Sequence, residues 1–232
     1  MNTNPKTPSA TRFSADYNLR RHPFALASGE KKQRNYIIMG AGGHGAVVAD
    51  ILRASGKVVL GFLDDGIPVG TKVLGAKVFG KLERCADFPE AVFIIGVGDN
   101  AIRKKIAQTY TVEYGQAIHP SAIIGEAAEI GLGTVVMANS IINPRTKIGG
   151  HCIINTSASI DHDNNLGNFV HVSPGAVSGG DVSIAEGTHV GIGAVLKNGI
   201  SICSGTVIGA GAVVVKNITE PGTYIGLPAA RI

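Results

Sequence analysis

Two carboxylates flank a histidine in the run Asp161-His162-Asp163, and this segment is the part of the chain best suited to do chemistry. An imidazole can take a proton from a nucleophile near neutral pH, and an adjacent carboxylate can orient the ring and stabilise its protonated form. Acyl transfer to an amine needs such a base, together with donors for the acyl oxygen. His162 is therefore the candidate base, although an exposed polar turn also collects His and Asp.

A period of six residues governs the chain from Ile118 to Val214. Sixteen of the seventeen residues at this spacing are aliphatic, and Ser178 is the exception. The residue four places further on is usually small, and glycine often follows the aliphatic position. An inward bulky residue, a turn that glycine tolerates and a small corner residue are typical of one flat side of a left-handed parallel β-helix. Three sides make an 18-residue coil, which predicts between five and six coils.

The same spacing places several polar residues on the outside of the predicted β-helix. His162 is outward at the third position of its hexad, and Gly180 follows it by one coil. His171 and His189 are also one coil apart, so they should stack in one column. Glycines at 180, 191 and 193 would let backbone amides approach a thioester and a pantetheine arm, although the turns of the coil explain them equally well.

Residues 35–115 have a different pattern, in which strands alternate with helices. Apolar strands are predicted at 36–39, 58–63 and 91–97, and helices at 46–52 and 101–108. This order is typical of a Rossmann-like α/β subdomain with a parallel, doubly wound sheet. The glycine run 40–45 joins the first strand to the first helix and suits any pyrophosphate, whether of a dinucleotide or of a nucleotide sugar. The short subdomain favours the nucleotide sugar.

Composition argues against nucleic-acid binding, membrane insertion, disulfide bonds and a metal site. Residues 1–34 hold seven basic and two acidic residues, whereas the other 198 residues hold 14 basic and 15 acidic residues. The net charge of +4 therefore comes from the first segment, and the rest of the chain does not form a basic nucleic-acid-binding surface. This first segment is expected to be a disordered tail without a signal peptide, which makes the cytoplasm the default location. No apolar run approaches the roughly 20 residues of a membrane-spanning helix. The three cysteines are expected to be free thiols, and no metal is expected.

With these motifs established, the chain resembles the hexapeptide-repeat acyltransferases over residues 35–232. More narrowly, it resembles the branch that N-acetylates nucleotide-linked amino sugars, typified by the bacillosamine-pathway and perosamine acetyltransferases, with sialic acid O-acetyltransferases as relatives. The resemblance rests on Gly40-Ala41-Gly42-Gly43-His44-Gly45, Gly98-Asp99-Asn100-Ala101-Ile102-Arg103, Ile154-Asn155-Thr156, Asp161-His162-Asp163, His171-Val172-Ser173-Pro174-Gly175 and Gly226-Leu227-Pro228-Ala229.

The resemblance implies roles for individual residues. Asp163 is the acidic partner of the base, with Asp161 as an alternative, Asn155 is a polar neighbour, and His171 contacts the acetyl carbonyl of acetyl-CoA. Gly42, Gly43 and His44 lie near the pyrophosphate or the sugar of the acceptor, and Asp64 and Asp65 near its nucleoside. Asn100 and Arg103 either contribute to this site or form a helix start with a solvated arginine. For His189, packing at the surface or at a subunit seam is the preferred interpretation.

These inferences lead to one leading hypothesis and two alternatives. The leading one is a homotrimer that transfers acetyl from acetyl-CoA to the 4-amino group of a UDP- or GDP-linked 4-amino-4,6-dideoxy sugar, with a β-helix at 116–219 and a C-terminal segment at 220–232. O-acetylation of a sugar such as sialic acid would use the same base on a hydroxyl. The third possibility is a non-catalytic scaffold that only binds a nucleotide sugar.

Overall fold

The structure is a computed structural model that describes residues 34–232. The predicted disorder of the first segment therefore lies, apart from Arg34, outside the described residues. No helix in the described part of the chain is long and apolar enough to cross a membrane.

The first part of the described chain is an α/β subdomain with one sheet. Its strands and helices are β1 (Asn35–Met39), α1 (Gly43–Ala54), β2 (Val58–Leu63), β3 (Lys72–Val73), β4 (Ala76–Gly80), a 3-10 helix (Leu82–Asp87), β5 (Val92–Ile95) and α2 (Asn100–Thr109). The sheet order is β3-β4-β2-β1-β5, and all neighbours are parallel except β3 and β4. The β3–β4 hairpin and the 3-10 helix were not predicted from the sequence.

The strand order creates a switch point between β1 and β5. From β1 the chain proceeds to β2 and β4 on one side, and it then returns to the other side of β1 as β5. Ligands of open α/β sheets bind outside the carboxyl ends of the strands at such a point. The glycine run after β1 and the Gly98 turn after β5 therefore frame the same crevice.

The second part is a parallel β-helix of seventeen two-residue strands, which confirms the predicted period. They are β6 (Ala117–Ile118), β7 (Ile123–Ile124), β8 (Glu129–Ile130), β9 (Val135–Val136), β10 (Ile141–Ile142), β11 (Lys147–Ile148), β12 (Ile153–Ile154), β13 (Ser159–Ile160), β14 (Asn165–Leu166), β15 (His171–Val172), β16 (Val177–Ser178), β17 (Ser183–Ile184), β18 (His189–Val190), β19 (Val195–Leu196), β20 (Ser201–Ile202), β21 (Val207–Ile208) and β22 (Val213–Val214). Two further strands, β23 (Thr223–Ile225) and β24 (Ala230–Arg231), extend one sheet at the end of the chain.

Each coil stacks on the next with a shift of 18 residues, as in the pairing of Ile142 with Ile160. The second residue of each strand points inward, and most of these aliphatic side chains are buried. Burial of one such side chain contributes about 1.5–3 kcal/mol, so a continuous aliphatic column supplies most of the driving force for this thin core. Ser178 is also buried in the column, and its hydroxyl has no hydrogen-bond partner among the described residues.

The corners differ from the prediction in one respect. The glycine that directly follows the aliphatic position does not form the left-handed turn, because the positive φ falls two residues later, at 127, 133, 139 and so on through 211. A Cβ at Gly125 would instead collide with the backbone of Pro144 on the next coil. Close approach between coils, rather than the turn itself, therefore explains this glycine.

The three outer faces of the β-helix have different chemistry. The covered face (β6, β9, β12, β15, β18 and β21) starts with Ala117, Val135 and Ile153, which are buried in one cluster with Val48 and Leu52 of α1. The apolar face (β7, β10, β13, β16, β19 and β22) presents outward Ile123, Ile141, Ser159, Val177, Val195 and Val213. The polar face (β8, β11, β14, β17 and β20) presents Glu129, Lys147, Asn165, Ser183 and Ser201.

Candidate active site

His162 lies on a corner formed by residues 161–164, between β13 of the apolar face and β14 of the polar face, which we call the His162 corner. Its side chain is 54% exposed, and its Nδ1 atom lies 2.7 Å from Oδ2 of Asp163. Because a carboxylate only accepts hydrogen bonds, Nδ1 carries the hydrogen in this pair. The Nε2 atom is then the ring nitrogen that carries a lone pair when the imidazole is neutral, so it is the atom that can act as a base.

Asp161 has a different partner. Its Oδ1 accepts the backbone N–H of His162 at 2.8 Å and the side-chain amide of Asn143 at 2.9 Å. These two hydrogen bonds, the first being the larger effect, lower the pKa of Asp161. Asp161 thus shapes the turn, and Asp163 is the carboxylate that contacts the imidazole.

Two residues that hold the His162 corner in place were not identified from the sequence. Arg145, one coil earlier, donates from Nε and Nη2 to the two carboxylate oxygens of Asp163, each at 2.6 Å. Asn164 is 1% exposed, and its amide donates to the carbonyls of Asp161 at 2.7 Å and Gly179 at 2.9 Å. Arg145 precedes Asp163 by 18 residues, the same spacing that paired His171 with His189, so this spacing could have identified it. Asn164 occupies the inward corner position, where a polar residue is unusual.

The imidazole of His162 rests on Gly180, which follows it by one coil. A Cβ at Gly180 would lie 2.6 Å from Cε1 of the imidazole, closer than real Cβ contacts allow. Gly191, in contrast, faces the backbone of Ile208 and Ala210 on the next coil, whereas Gly193 has a left-handed φ of 64° and open space around it. The coil therefore accounts for Gly191 and Gly193, and Gly180 specifically makes room for the histidine.

Asn155 and His171 form a second cluster on a corner made by residues 155–158 between β12 and β13, which we call the Asn155 corner. Asn155 Nδ2 lies 3.2 Å from His171 Nε2, and its Oδ1 accepts the backbone N–H of Thr156 at 2.8 Å. Burial, followed by repulsion from His189 and Arg103, lowers the pKa of His171 to about 3. The ring is therefore neutral, and its Nε2 accepts a hydrogen bond from Asn155.

His171 stacks on His189 of the next coil, with ring centroids 4.7 Å apart. The Nε2 atom of His189 lies 2.8 Å from Oγ of Ser173. The predicted column of two histidines is thus present, and both rings line a cavity of about 820 Å³ between α2 and the covered face. Lys104 and Glu186 form an ion pair of 2.5 Å at the edge of this cavity.

Arg103 is a buried cation at the centre of the junction between the subdomain and the β-helix. It is 1% exposed, so the predicted alternative of a solvated arginine is wrong. Its guanidinium donates to Asn100 Oδ1 and to the carbonyls of Val97, Gly98, His151 and Phe169. All of these acceptors are uncharged, so the positive charge is not neutralised by a direct ion pair and acts on the surrounding imidazoles.

Asn100 belongs to the same junction. Its Nδ2 donates to the carbonyls of Gly187 at 3.0 Å and Thr188 at 3.2 Å, while its Oδ1 accepts from Arg103. In this structure the amide links the start of α2 to the β-helix. Its predicted contact with substrate stays a prediction.

The glycine run after β1 forms an open loop at the start of α1. Gly42 is the N-cap of the helix and makes no side-chain cap, and a Cβ at Gly42 or Gly43 would meet nothing within 4 Å. The first N–H groups of a helix have no acceptor within the helix, and these two glycines leave space beside them, which suits the binding of a phosphate. His44 lies in the first turn, where burial, followed by repulsion from Arg103, lowers its pKa to about 4. Its buried Nε2 has no partner among the described residues.

The two carboxylates after β2 support the crevice from the other side. Asp64 accepts the backbone N–H of Ala41 at 2.7 Å, Gly66 at 2.8 Å and Ile67 at 2.9 Å. Partial burial raises the pKa of Asp64, but these three hydrogen bonds outweigh burial, so that the net shift is downward. Asp65 accepts the N–H of Leu82 at 2.9 Å. Asp64 thus ties the glycine loop to the turn after β2.

The chain brings its predicted site residues together in two groups rather than one. The first is the His162 corner. The second joins the Asn155 corner to the crevice at the glycine loop, because His171 bonds to the backbone of Gly98 and interacts with His44. No hydrogen bond or ring contact within residues 34–232 joins the imidazole of His162 to Asn155 or His171. The two corners lie at opposite edges of the apolar face, since β13 separates them in the chain.

Comparison with known proteins agrees with this architecture. A family model of the PglD N-terminal domain matches residues 35–110. UDP-N-acetylbacillosamine N-acetyltransferase of Bacillus subtilis is 40% identical over 113 residues, which are 45% of this chain and 51% of that protein. The chain therefore aligns with about half of the length of this relative.

Two solved structures match over almost their whole length. PerB from Caulobacter crescentus, in complex with CoA and GDP-perosamine, is 35% identical with a TM-score of 0.80, covering 85% of this chain and 97% of that chain. The acetyltransferase domain of PglB from Neisseria gonorrhoeae FA1090, in complex with acetyl coenzyme A, is 34% identical with a TM-score of 0.81, covering 86% and 100%.

An α/β subdomain with an open glycine loop, followed by a parallel β-helix with a His–Asp pair on its corner, defines a hexapeptide-repeat acyltransferase. The similarity extends through both parts of the chain and includes both of these solved relatives. The chain belongs to the family of nucleotide-sugar N-acetyltransferases that contains the perosamine enzyme and the PglB acetyltransferase domain, as the sequence resemblance predicted.

Proposed function

We propose that the protein transfers an acetyl group from acetyl-CoA to the 4-amino group of a UDP- or GDP-linked 4-amino-4,6-dideoxy sugar, in the cytoplasm, for surface-glycan or glycoprotein synthesis. The observation that carries this proposal is the His162–Asp163 pair, which holds an exposed imidazole whose Nε2 has no hydrogen-bond partner among the described residues. Family membership supports the donor and the acceptor class, because relatives were solved with CoA and GDP-perosamine or with acetyl coenzyme A.

The crevice at the glycine loop supports a nucleotide-linked acceptor. The uncapped start of α1 offers N–H donors to a pyrophosphate, and Gly42 and Gly43 leave room for it. The unpartnered Nε2 of His44 can meet a hydroxyl or a phosphate oxygen there. We propose that Asp64 and Asp65 border the nucleoside side of this crevice.

The apolar face supports the homotrimer. Ile123 is 61% exposed, and Val177 and Val195 are each 42% exposed on this face, whereas the polar face carries charged and hydroxyl side chains. Ser159 is the one outward side chain of this face that is not aliphatic. A stripe of aliphatic side chains on a flat sheet is typical of a subunit contact. We therefore place the apolar face of each copy toward a common threefold axis.

This arrangement would complete the active site between subunits. When three copies turn one face toward a threefold axis, one edge of that face meets the opposite edge of the same face in the next copy. The Asn155 corner precedes β13 and the His162 corner follows it, so each interface would join the His162 corner of one copy to the Asn155 corner of its neighbour. The two groups that are separate in one chain would then face the same substrates.

The residues would divide the reaction as follows. Acetyl-CoA supplies the acyl carbon as a thioester. His162 Nε2 takes a proton from the amine as its nitrogen forms the new C–N bond, and it returns the proton to the sulfur when the C–S bond breaks. Asn155 Nδ2 carries two hydrogens, of which one meets His171, so the other can donate to the acyl oxygen as negative charge develops. The resemblance implied that His171 itself contacts the acetyl carbonyl; in this proposal Asn155 makes that contact and His171 orients its amide.

A thiol-release assay with acetyl-CoA tests the proposal against UDP-, GDP- and dTDP-linked 4-amino-4,6-dideoxy sugars and their 4-hydroxyl analogues, with sialic acid included. Turnover on an amino sugar and loss of turnover in His162→Ala are expected. Turnover on hydroxyl acceptors alone would make the protein an O-acetyltransferase with the same base. Tight binding of a nucleotide sugar without any transfer would favour the non-catalytic scaffold.

A further inference from the structure

Arg145 contacts the acidic partner of the proposed base from one coil below. Its Nε lies 2.6 Å from Oδ1 of Asp163, and its Nη2 lies 2.6 Å from Oδ2. A bidentate pair of this kind fixes the plane and the direction of a carboxylate more tightly than a single hydrogen bond. The 18-residue separation places the two Cα atoms in the same corner column, so the coil itself brings the pair together.

The same carboxylate oxygen also serves the imidazole. Oδ2 of Asp163 accepts from Arg145 Nη2 and lies 2.7 Å from His162 Nδ1. Arg145, Asp163 and His162 therefore form one continuous chain of hydrogen bonds. The hydrogen bond from Arg145, followed by the hydrogen bond from His162, lowers the pKa of Asp163 to about 2. Asp163 is thus ionised at every pH at which the imidazole could act as a base.

The backbone at these two positions is in the left-handed conformation that favours glycine. Arg145 has φ 61° and Asp163 has φ 59°, in the left-handed region, whereas Gly187, Gly193 and Gly199 occupy equivalent turn positions in later coils. A residue with a Cβ costs roughly 1–2 kcal/mol in this conformation compared with glycine. Six other non-glycine residues share this conformation at corner positions, so the backbone alone does not single out Arg145 and Asp163. The bidentate contact between their side chains does.

We propose that Arg145 is a positioning residue for the acyl-transfer reaction, which holds the Asp163 carboxylate against Nδ1 of His162 and offsets part of its negative charge. This inference rests on the proposed function of His162. Asp has a short side chain that can turn away from the ring, and the bidentate contact removes that freedom.

The test is the pH dependence of kcat and KM for Arg145→Gln with acetyl-CoA and the accepted amino-sugar nucleotide. We expect kcat to fall about 10- to 100-fold, and both KM values to change by less than roughly threefold. The acid limb of the pH–rate profile should move to higher pH, since the carboxylate charge then acts on His162 alone. Asp163→Asn should move the acid limb the other way, because it leaves Arg145 unpaired beside the ring.

Two further variants separate positioning from folding. Arg145→Lys keeps the charge but loses the bidentate geometry, so its kcat should lie between those of the wild type and Arg145→Gln, with an acid limb near that of the wild type. Lys147→Gln removes an exposed coil-to-coil ion pair of the same spacing, with Glu129, and should leave kcat unchanged. Circular dichroism and light scattering verify that each variant folds and assembles as the wild type does.

The outcomes distinguish this inference from the proposed function. A wild-type kcat and acid limb in Arg145→Gln, together with an inactive His162→Ala, would overturn the positioning role and leave the base in place. Normal turnover in His162→Ala would overturn both. Equal losses in Arg145→Gln and Lys147→Gln would mean that the pair only stabilises the coil, which also contradicts the inference.

Discussion

Asn155 Nδ2 lies 3.2 Å from Nε2 of His171, and the neutral ring of His171 accepts this hydrogen bond. The amide is also held at its other end, because Oδ1 accepts the N–H of Thr156. His171 also bonds to the backbone of Gly98, which raises its pKa slightly against the larger effect of burial. Both ring nitrogens thus have protein partners, and the second amide hydrogen of Asn155 is the donor left for a substrate.

Asn155→Ala should therefore lower kcat by about 100-fold, the usual result of removing one donor to a developing oxyanion. His171→Gln should cause a smaller loss, because it disturbs the orientation of the amide without removing it. Steady-state kinetics with both substrates measure the two effects. If His171→Gln were inactive and Asn155→Ala nearly normal, the imidazole rather than the amide would be the donor.

Gly180→Ala should inactivate the protein without unfolding it. The new Cβ would lie 2.6 Å from the ring of His162, so the imidazole must swing away from Asp163. A loss of roughly 100-fold in kcat is expected from displacement of a general base. Gly199→Ala is the control, since its Cβ meets nothing within 4 Å and its φ of 70° causes only local strain. Normal kcat in Gly180→Ala would show that His162 does not need this position.

Arg103→Met should destabilise the fold more than any exposed change on α2. The guanidinium meets five uncharged acceptors at the junction, and its removal leaves several buried carbonyls with fewer donors. A decrease of about 3 kcal/mol in the free energy of unfolding is expected. Lys105→Met on the exposed side of the same helix should change it by less than about 0.5 kcal/mol. Urea unfolding of both variants at neutral pH makes the comparison, and equal effects would contradict the role of Arg103.

Stability should fall as the pH decreases from 6.5 toward 4. Burial lowers the pKa of His44 to about 4 and that of His171 to about 3, from an ordinary value of 6.5. In this window the unfolded chain binds protons that the folded protein excludes, so the free energy of unfolding rises with pH by up to about 1.4 kcal/mol per pH unit for each excluded proton. Urea unfolding at several pH values should show a shallower slope in His44→Gln. An unchanged slope would mean that His44 is protonated in the folded protein.

The sequence predicted the repeating parts of the fold better than the contacts between them. A six-residue period is a local property of the chain, and it correctly identified the β-helix and the stacking of His171 on His189. The β3–β4 hairpin was missed because β3 has only two residues and glycines interrupt the pattern around it. The burial of Arg103 was missed because nothing in the sequence of α2 distinguishes a helix face that meets another part of the chain from one that meets water.

The candidate site was also predictable only in part. His162 and Asp163 are adjacent in sequence, so their pairing could be proposed directly. Arg145 is 18 residues away from Asp163, and finding it required applying the coil period to charged residues as well as to histidines. Asn164 occupies the inward corner position that is usually small, and its polar side chain there was the available signal.

Activity of hybrid trimers tests the central claim, that the acyl-transfer site combines the His162 corner of one copy with the Asn155 corner of the next. His162→Ala and Asn155→Ala are each expected to be nearly inactive, and the two are unfolded together, refolded as a mixture and assayed for acetyl transfer. In a threefold ring, every trimer that contains both variants has one intact site out of three. Random assembly makes about three quarters of the trimers mixed, so about a quarter of the wild-type rate is predicted. A mixture that forms trimers by light scattering yet stays as inactive as its parents would contradict the shared site.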